Sequence, residues 1–518
     1  MIPRIVSFSL ACLALAGPAS AGPDGGAIYA DLCAGCHAET RLGGTGPALI
    51  PESLGRLKGD KLQAVIAGGR AMTQMPAFKA TLGPAEIAAV AEYIAAPLAQ
   101  APAWTVEDVA ASRSLRDDYT PAPAPVFTAD PMNVTLVVET GDSHISVLDG
   151  DSFAVLDRFE TPFAVHGGPK FSPDGRFVFV MSRDGWVQKY DLWSLHEVGR
   201  VRAGLNSRNI AMSADGQWLA VANYLPNTLT ILSAADLSVA RVIDVAGRDG
   251  TPSRVSAVYQ APRRKSFVLA LKDVPEIWEV ATDPKAGPFH DGFVHSHEAG
   301  MEEALASEQG MFARRRIDVS APLDDFFFDP DYRNLIGANR EGETGVVVNL
   351  DVGREIATLP LPGMPHLGSG ISWMRDGHRV MAVPHLNEGR ISIIDMTDWH
   401  LVKVIETSGP GFFLRSHYNT PYLWADVFTG PHKGEMHLID KQSLEVVKVM
   451  TPDPGKTVAH TEFTRDGSKA LVSIWEDDGA VIVFDAATQQ ELRRLPMRKP
   501  SGKYNVWNKI TFEDGTSH

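Results

Sequence analysis

Cysteine is scarce in this chain: 518 residues carry three. That scarcity excludes a small scaffold stapled by disulfides. It also excludes a zinc site built from two C-x-x-C pairs, because only one such pair is present. Long apolar runs are lacking as well. The one that opens the chain, Ile5 to Ala16, is too short to span a bilayer. A basic surplus is missing too. The formal charge of −15 argues against a nucleic-acid partner and leaves docking to a basic electron-transfer protein open.

What is present begins with a leader. Arg4 precedes the apolar run, and Ala19-Ser20-Ala21 is a small-residue cleavage signature, so residues 1–21 read as a secretory signal. Cys12 lies inside that run, earlier than a lipidation site is expected. The mature protein is therefore expected to be exported, with no membrane span, and placed in a bacterial periplasm. Its two remaining cysteines fall in Cys33-Ala-Gly-Cys36-His37. C-x-x-C-H is the attachment signature of a c-type haem, with Cys33 and Cys36 as thioether donors and His37 as iron ligand. The alternative, a zinc half-site or redox dithiol, lacks matched partners elsewhere in the sequence.

Residues 22–98 read as a small all-α cytochrome c domain. Leu57 to Ala67 and Pro84 to Ile94 have helical apolar spacing. Between them Met75, followed by Pro76, is the expected sixth ligand of the haem iron, with Met72 as the alternative. Residues 99–130, carrying Pro102, Pro121, Pro123 and Pro125, read as a stiff linker without a folded element. Residues 131–518 change character. A β-rich run ending in Asp recurs at Asp149, Asp191, Asp351, Asp395, Asp440 and Asp485, with weaker copies at Ser233 and Ala281. Successive markers lie 42 to 48 residues apart, except for one interval of 70. Asp-Gly turns recur beside them at Gly175, Gly216, Gly377 and Gly467. A period in the forties with about four short strands per unit predicts an all-β propeller of eight blades. The long interval places an insertion at about 283–320, rich in Glu298, Glu302, Glu303 and Glu308 and expected to form a surface helix or lid. His166, His366, His417 and His460 all fall at blade starts, facing a channel wide enough for a flat macrocycle.

A cytochrome c domain followed by an eight-bladed propeller resembles the cytochrome cd1 nitrite reductase family and its relatives. The resemblance covers nearly the whole mature chain. It is carried by Phe163-Ala-Val-His166, Ser182-Arg-Asp-Gly185, Asp191-Leu-Trp193, Pro365-His366, His385-Leu-Asn-Glu-Gly389 and Gly502-Lys-Tyr-Asn-Val506. It implies a propeller that holds haem d1, with His166 as proximal iron ligand and Arg183 and Arg208 on the macrocycle's carboxylates. His417 joins the expected cofactor contacts. One of the two histidines that protonate nitrite in the reductases maps to His366. The other lies in a stretch that here reads Ala321-Pro-Leu-Asp-Asp-Phe326, with no histidine. Half of the proton-donating pair is gone, which disfavours nitrite reduction.

His460-Thr-Glu-Phe-Thr-Arg-Asp-Gly467 is instead similar to the family's haem d1 biosynthesis branch. That likeness implies oxidation of a propionate of dihydro-haem d1 to an acrylate, the last step of haem d1 biosynthesis, with electrons leaving through the covalent haem c. His460 is then the expected base, oriented by Glu462. Tyr504 orients the carboxylate or shares the proton, and His366 is the distal ligand. Nitrite reductase and a periplasmic electron acceptor are the implied protein partners. Two other functions stay open here. A nitrite reductase would make nitric oxide from nitrite, and a haem d1 carrier would bind the dihydro precursor unchanged.

Overall fold

The computed structural model describes residues 22–516 except 44–45, 55–56, 70–74, 163, 291–305 and 340–341. The leader, Met72, Phe163 and the insertion's Glu298, Glu302 and Glu303 lie outside the described residues.

Five short helices open the chain: Gly25–Leu32, Ala34–His37, Pro51–Leu54, Asp60–Gly68 and Pro84–Ala95. Asp24 caps the first, its carboxylate accepting from the Gly26 and Ala27 amides. Gly25 is glycine because a Cβ there would lie 2.2 Å from the Ala89 carbonyl oxygen of the last helix. The apolar faces meet in a core of Tyr29, Leu62, Ile66, Val90 and Ile94, against which Cys33 and Met75 pack. Tyr29 donates its hydroxyl to the Ala38 carbonyl at 2.7 Å, tying the first helix to the loop that follows the haem motif.

The remainder forms eight antiparallel sheets of four blade strands each, in chain order around a ring. The recurrent markers have a single structural meaning: each lies at the end of the third strand of its blade or within two residues beyond it. Asp191, Asp395, Asp440 and Asp485 then accept from the amides of Trp193, Thr397, Gln442 and Ala487, closing the turn to the outer strand. The second marker closes the turn between the inner and second strands. Gly175, Gly216 and Gly467 sit there at φ near +70°, which glycine reaches without strain. The ring closes by pairing ends far apart in sequence. Pro500–Asn505 is the inner strand of the blade whose other strands are Thr135–Glu139, His144–Leu148 and Val155–Glu160.

Two sequence expectations are corrected. The Pro/Ala-rich segment carries a helix, Val106–Ser112, and a strand, Ser114–Leu115, that extends the second blade to five strands. Thr105 and Asp108 form a capping box, and Val109 is buried among blade residues, so local capping and one apolar anchor outweigh the prolines. The insertion gives up its last part to the fourth blade as the outer strand Arg314–Asp318. Before that, Phe289–His290 pairs with Ser307–Glu308 at its base, and Glu308 takes a salt bridge from Arg314. Among the described residues, no helix is long and apolar enough to cross a membrane.

Candidate functional site

The haem-attachment motif lies on the short helix Ala34–His37. Cys33 is half-buried, Cys36 is exposed, and the two are not joined to each other. His37 is buried, and its Nδ1 hydrogen donates to the Pro47 carbonyl at 2.7 Å. That bond leaves the Nε2 lone pair for a metal, and burial holds the imidazole below its ordinary pKa, in the neutral form a metal requires. A Cβ on Gly46 would lie 2.6 Å from this ring, so the loop approaches it with backbone alone. Two thiols, a metal-ready imidazole and a thioether on the same core fit a covalently bound haem.

The propeller channel holds a cavity of about 350 Å³ at one end of its inner strands. Blade order explains its walls, because blades four apart in a ring of eight face each other. His166 leads into the second blade and His366 into the sixth. Arg208 comes from the third blade and Arg415 from the seventh; Asp325 comes from the fifth and Tyr504 from the first. Three facing pairs therefore line the cavity: two imidazoles, two guanidiniums, and a carboxylate opposite a phenol. Phe412, Phe413, Phe428 and Trp475 supply an apolar side.

Both cavity imidazoles are built alike. His166 donates from Nδ1 to the Arg208 carbonyl at 2.7 Å, and His366 from Nδ1 to the Phe412 carbonyl at 2.9 Å. Burial holds both below the ordinary histidine pKa, and for His166 the Arg208 and Arg183 charges add to it. Arg208 caps the His166 Nε2 lone pair at 2.9 Å. Asp325 accepts from the Tyr259 hydroxyl at 2.9 Å and from the Gly368 amide at 2.7 Å. Arg415 is almost fully buried. It donates to the Leu414 carbonyl, and its Nε hydrogen has no partner. A buried guanidinium with a free donor calls for an anionic ligand. Tyr504 stands between two glycines: a Cβ at Gly502 would meet its hydroxyl at 2.4 Å, and one at Gly168 its ring at 3.0 Å. Burial pushes its phenol up to about 12.

The expected residues divide. His166, His366, Arg208 and Tyr504 line the cavity. Arg183 is not among the lining residues: it lies half-buried over the Tyr224 ring, 5.4 Å from its centroid, and its charge still reaches His166. His417 turns away from the cavity. Its Nδ1 accepts from the Asn419 amide, its Nε2 faces the Arg465 carbonyl, and a Cβ on Gly467 would reach 2.2 Å from the ring. Both its nitrogens are held by backbone, and it is not among the residues that line the cavity. His460 is also behind the wall, fully buried at φ +45°. Its two nitrogens both face donors, the Lys503 amide at 3.3 Å and Arg415 at 3.2 Å. A neutral imidazole has one lone pair to offer, so the ring accepts from one of these two donors, and it is not among the residues that line the cavity. Glu462 bonds to Asn508, not to His460. Asp325, Arg415, Tyr259 and the aromatic side escape the sequence reading. The stretch noted there for its missing histidine was the available signal, since it delivers Asp325.

A larger cavity, about 430 Å³, opens at the opposite end of the inner strands, under the C-terminal helix Val506–Thr511. It lacks facing imidazoles, so it is not the site. It does hold Lys170 and Lys509, whose ammonium groups burial pushes down to about 8 and about 7. Lys509 is also lowered by Arg415. Between pH 7 and 10.5 the unfolded chain therefore binds the Lys509 proton and the folded chain does not. Stability accordingly rises with pH across that window, by up to about 1.4 kcal/mol per pH unit for one proton. Lys509→Met is expected to raise Tm at pH 7 and to shrink the gain in Tm between pH 7 and pH 9, read by calorimetry. An unchanged gain would remove Lys509 from the titration.

Residues 129–286 and 285–509 match the cytochrome D1 heme domain family, and residues 20–94 match the cytochrome c oxidase, cbb3-type, subunit III family. A dihydro-heme d1 dehydrogenase of Pseudomonas aeruginosa PAO1 is 48% identical over 519 residues, covering 100% of both chains. Protein NirF of the same organism is 28% identical over 71% of this chain and 89% of its own. A nitrite reductase of Stutzerimonas stutzeri is 23% identical over 93% of this chain and 92% of its own. The solved structure of a dihydro-heme d1 dehydrogenase NirN in complex with DHE superposes with a TM-score of 0.83 at 49% identity, covering 94% of this chain and 99% of that one.

Proposed function

The chain belongs to the cytochrome d1 haem-domain family, and from that premise we propose that it oxidises dihydro-haem d1, converting one propionate side chain to an acrylate. The observation that carries this reading is the pair His166 and His366, which line one cavity from facing blades, each with Nδ1 donated to a backbone carbonyl so that Nε2 is the nitrogen left to bind a metal. Such a pair suits the two axial positions of an iron macrocycle. The reaction takes two electrons and two protons from –CH2–CH2–COO⁻ to give –CH=CH–COO⁻. When attached at Cys33 and Cys36, the haem c supplies a one-electron acceptor that carries the charge out in two steps.

The chain's own residues do the rest. His166 and His366 bind the substrate's iron through Nε2, Arg208 leaving the His166 lone pair when substrate enters. Arg208 and Arg415 meet substrate carboxylates, the second through its free Nε hydrogen. Tyr504 keeps its proton and donates it in a hydrogen bond to the reacting carboxylate, fixing the side chain against the wall. Asp325, the carboxylate on the opposite wall, receives one of the two protons, and the other leaves to water at the cavity mouth. His460 acts through Arg415 as a positioning residue. The aromatic side excludes water from the reacting carbons. Met75, on the same core as Cys33, would be the residue that holds the haem c iron together with His37.

An exported, periplasmic chain agrees with the leader at residues 1–21, and nitrite reductase as recipient of the product agrees with the family. Anaerobic mixing with dihydro-haem d1 and a soluble one-electron acceptor tests the function. The acrylate product, two mass units lighter than the substrate, is expected by mass spectrometry. Tight binding with no product would favour a carrier and end this reading.

A further inference from the structure

The two iron-binding sites lie on different parts of the chain, and charge must pass between them. The residues that join them converge on one side chain, Arg202, at the end of the second blade's outer strand, His196–Arg202. It is buried at 7% exposure. Its Nη2 donates to the Leu42 carbonyl at 2.7 Å, and its Nε donates to the Asp184 carbonyl at 2.8 Å. Leu42 belongs to the loop after the haem motif. That loop is bound to the haem-bearing residues themselves: the Gly43 amide donates to the His37 carbonyl, and the Gly46 amide to the Cys36 carbonyl. Asp184 belongs to the turn between the second blade's strands Phe177–Met181 and Trp186–Asp191. That turn holds the other iron ligand. The His166 amide donates to the Met181 carbonyl, and the Arg183 amide to the Ala164 carbonyl. One guanidinium thus spans from the His37 loop to the turn that anchors His166.

The surroundings hold Arg202 in place. Trp104 lies 5.0 Å from its guanidinium and donates its indole hydrogen to the Arg202 carbonyl at 2.9 Å. Leu42, Ala48 and Ile50 pack beside it against Leu205 and Leu225. Adhesion alone needs no cation there. Burial lowers the Arg202 pKa, so the charge is kept at a cost that an apolar side chain would avoid. What the guanidinium adds is direction: two fixed donors, one aimed at each site.

We propose that Arg202 is the positioning residue that sets the haem c loop against the His166 turn and so governs electron transfer from bound substrate to haem c. This rests on the function proposed above. The test mixes the full chain, loaded with oxidised haem c, with half an equivalent of dihydro-haem d1 without other acceptor or oxygen, so that two haem c centres take the two electrons, and follows the c-type absorption band. Wild-type chain is expected to reduce its haem c. Arg202→Met is expected to bind substrate within about twofold of wild type, with an unchanged haem c potential, and to reduce haem c about 10²-fold more slowly, the scale of a small misplacement. Arg202→Lys, which keeps one donor toward Leu42, is expected to recover part of the rate. A wild-type rate in R202M overturns the proposal and leaves the function standing. Lost substrate binding or a shifted potential in both variants overturns it too, as the mark of a merely structural role. Wild-type chain that binds substrate and never reduces its haem c removes the function, and the proposal with it.

Discussion

Alanine at His166 is expected to weaken dihydro-haem d1 binding by more than the roughly 10- to 100-fold that removing a supporting partner of a metal ligand costs. The Nδ1 hydrogen bond to the Arg208 carbonyl fixes the ring, so only the Arg208 guanidinium, 2.9 Å from Nε2, has to move for the ring to bind a metal. Burial keeps it neutral, so no proton competes with iron near pH 7. The variant leaves a hole of imidazole size beside Arg208, which cannot ligate a metal. Added imidazole is therefore expected to restore part of the binding, a result that lost folding would not give. Absorption titration of the anaerobic substrate reads both. Affinity within threefold of wild type would show that iron is held from the other wall alone.

The blades were legible because their signal repeats and is chemical. A short side-chain acceptor lies at the end of the third strand in every blade but the fourth, where Ala281 stands, and Asx turns favour that residue type where the chain doubles back. His37 and the cysteines were legible because covalent chemistry fixes their spacing. The cavity was only half legible. Its walls are assembled from facing blades, so Asp325 and Tyr504 meet across some 180 residues with no local pattern linking them. Blade position named His460 and His417 as readily as His166 and His366, but position does not say which way a ring turns. At His460 the ladder slips between Ala459 and Thr461, and the bulge turns the ring behind the wall and leaves Ala459 on it. The helix Val106–Ser112 was hidden by the prolines around it, although its capping box was written in Thr105 and Asp108.

Serine at both Cys33 and Cys36 is expected to separate binding from turnover. Substrate binding should hold, because the cavity is walled entirely by propeller residues and the ring closes on its own strand, Pro500–Asn505. The helical unit should loosen, since Cys33 and Met75 pack on a small core and attached haem adds to it. Turnover should fall by about 10³-fold or more. A short tether holds an acceptor at millimolar effective concentration, and a soluble acceptor at micromolar concentration replaces it poorly. Arg202 sharpens the contrast, because its donor to Leu42 then orients a loop with no haem to deliver. Titration of substrate and steady-state product formation, run on the same preparation, decide the matter. Binding and turnover lost together would mean that the propeller cavity depends on the helical unit for its shape. Turnover kept at the wild-type rate would mean that electrons leave the cavity by another face, past Phe412 and Phe428 or through the opposite mouth beneath the C-terminal helix.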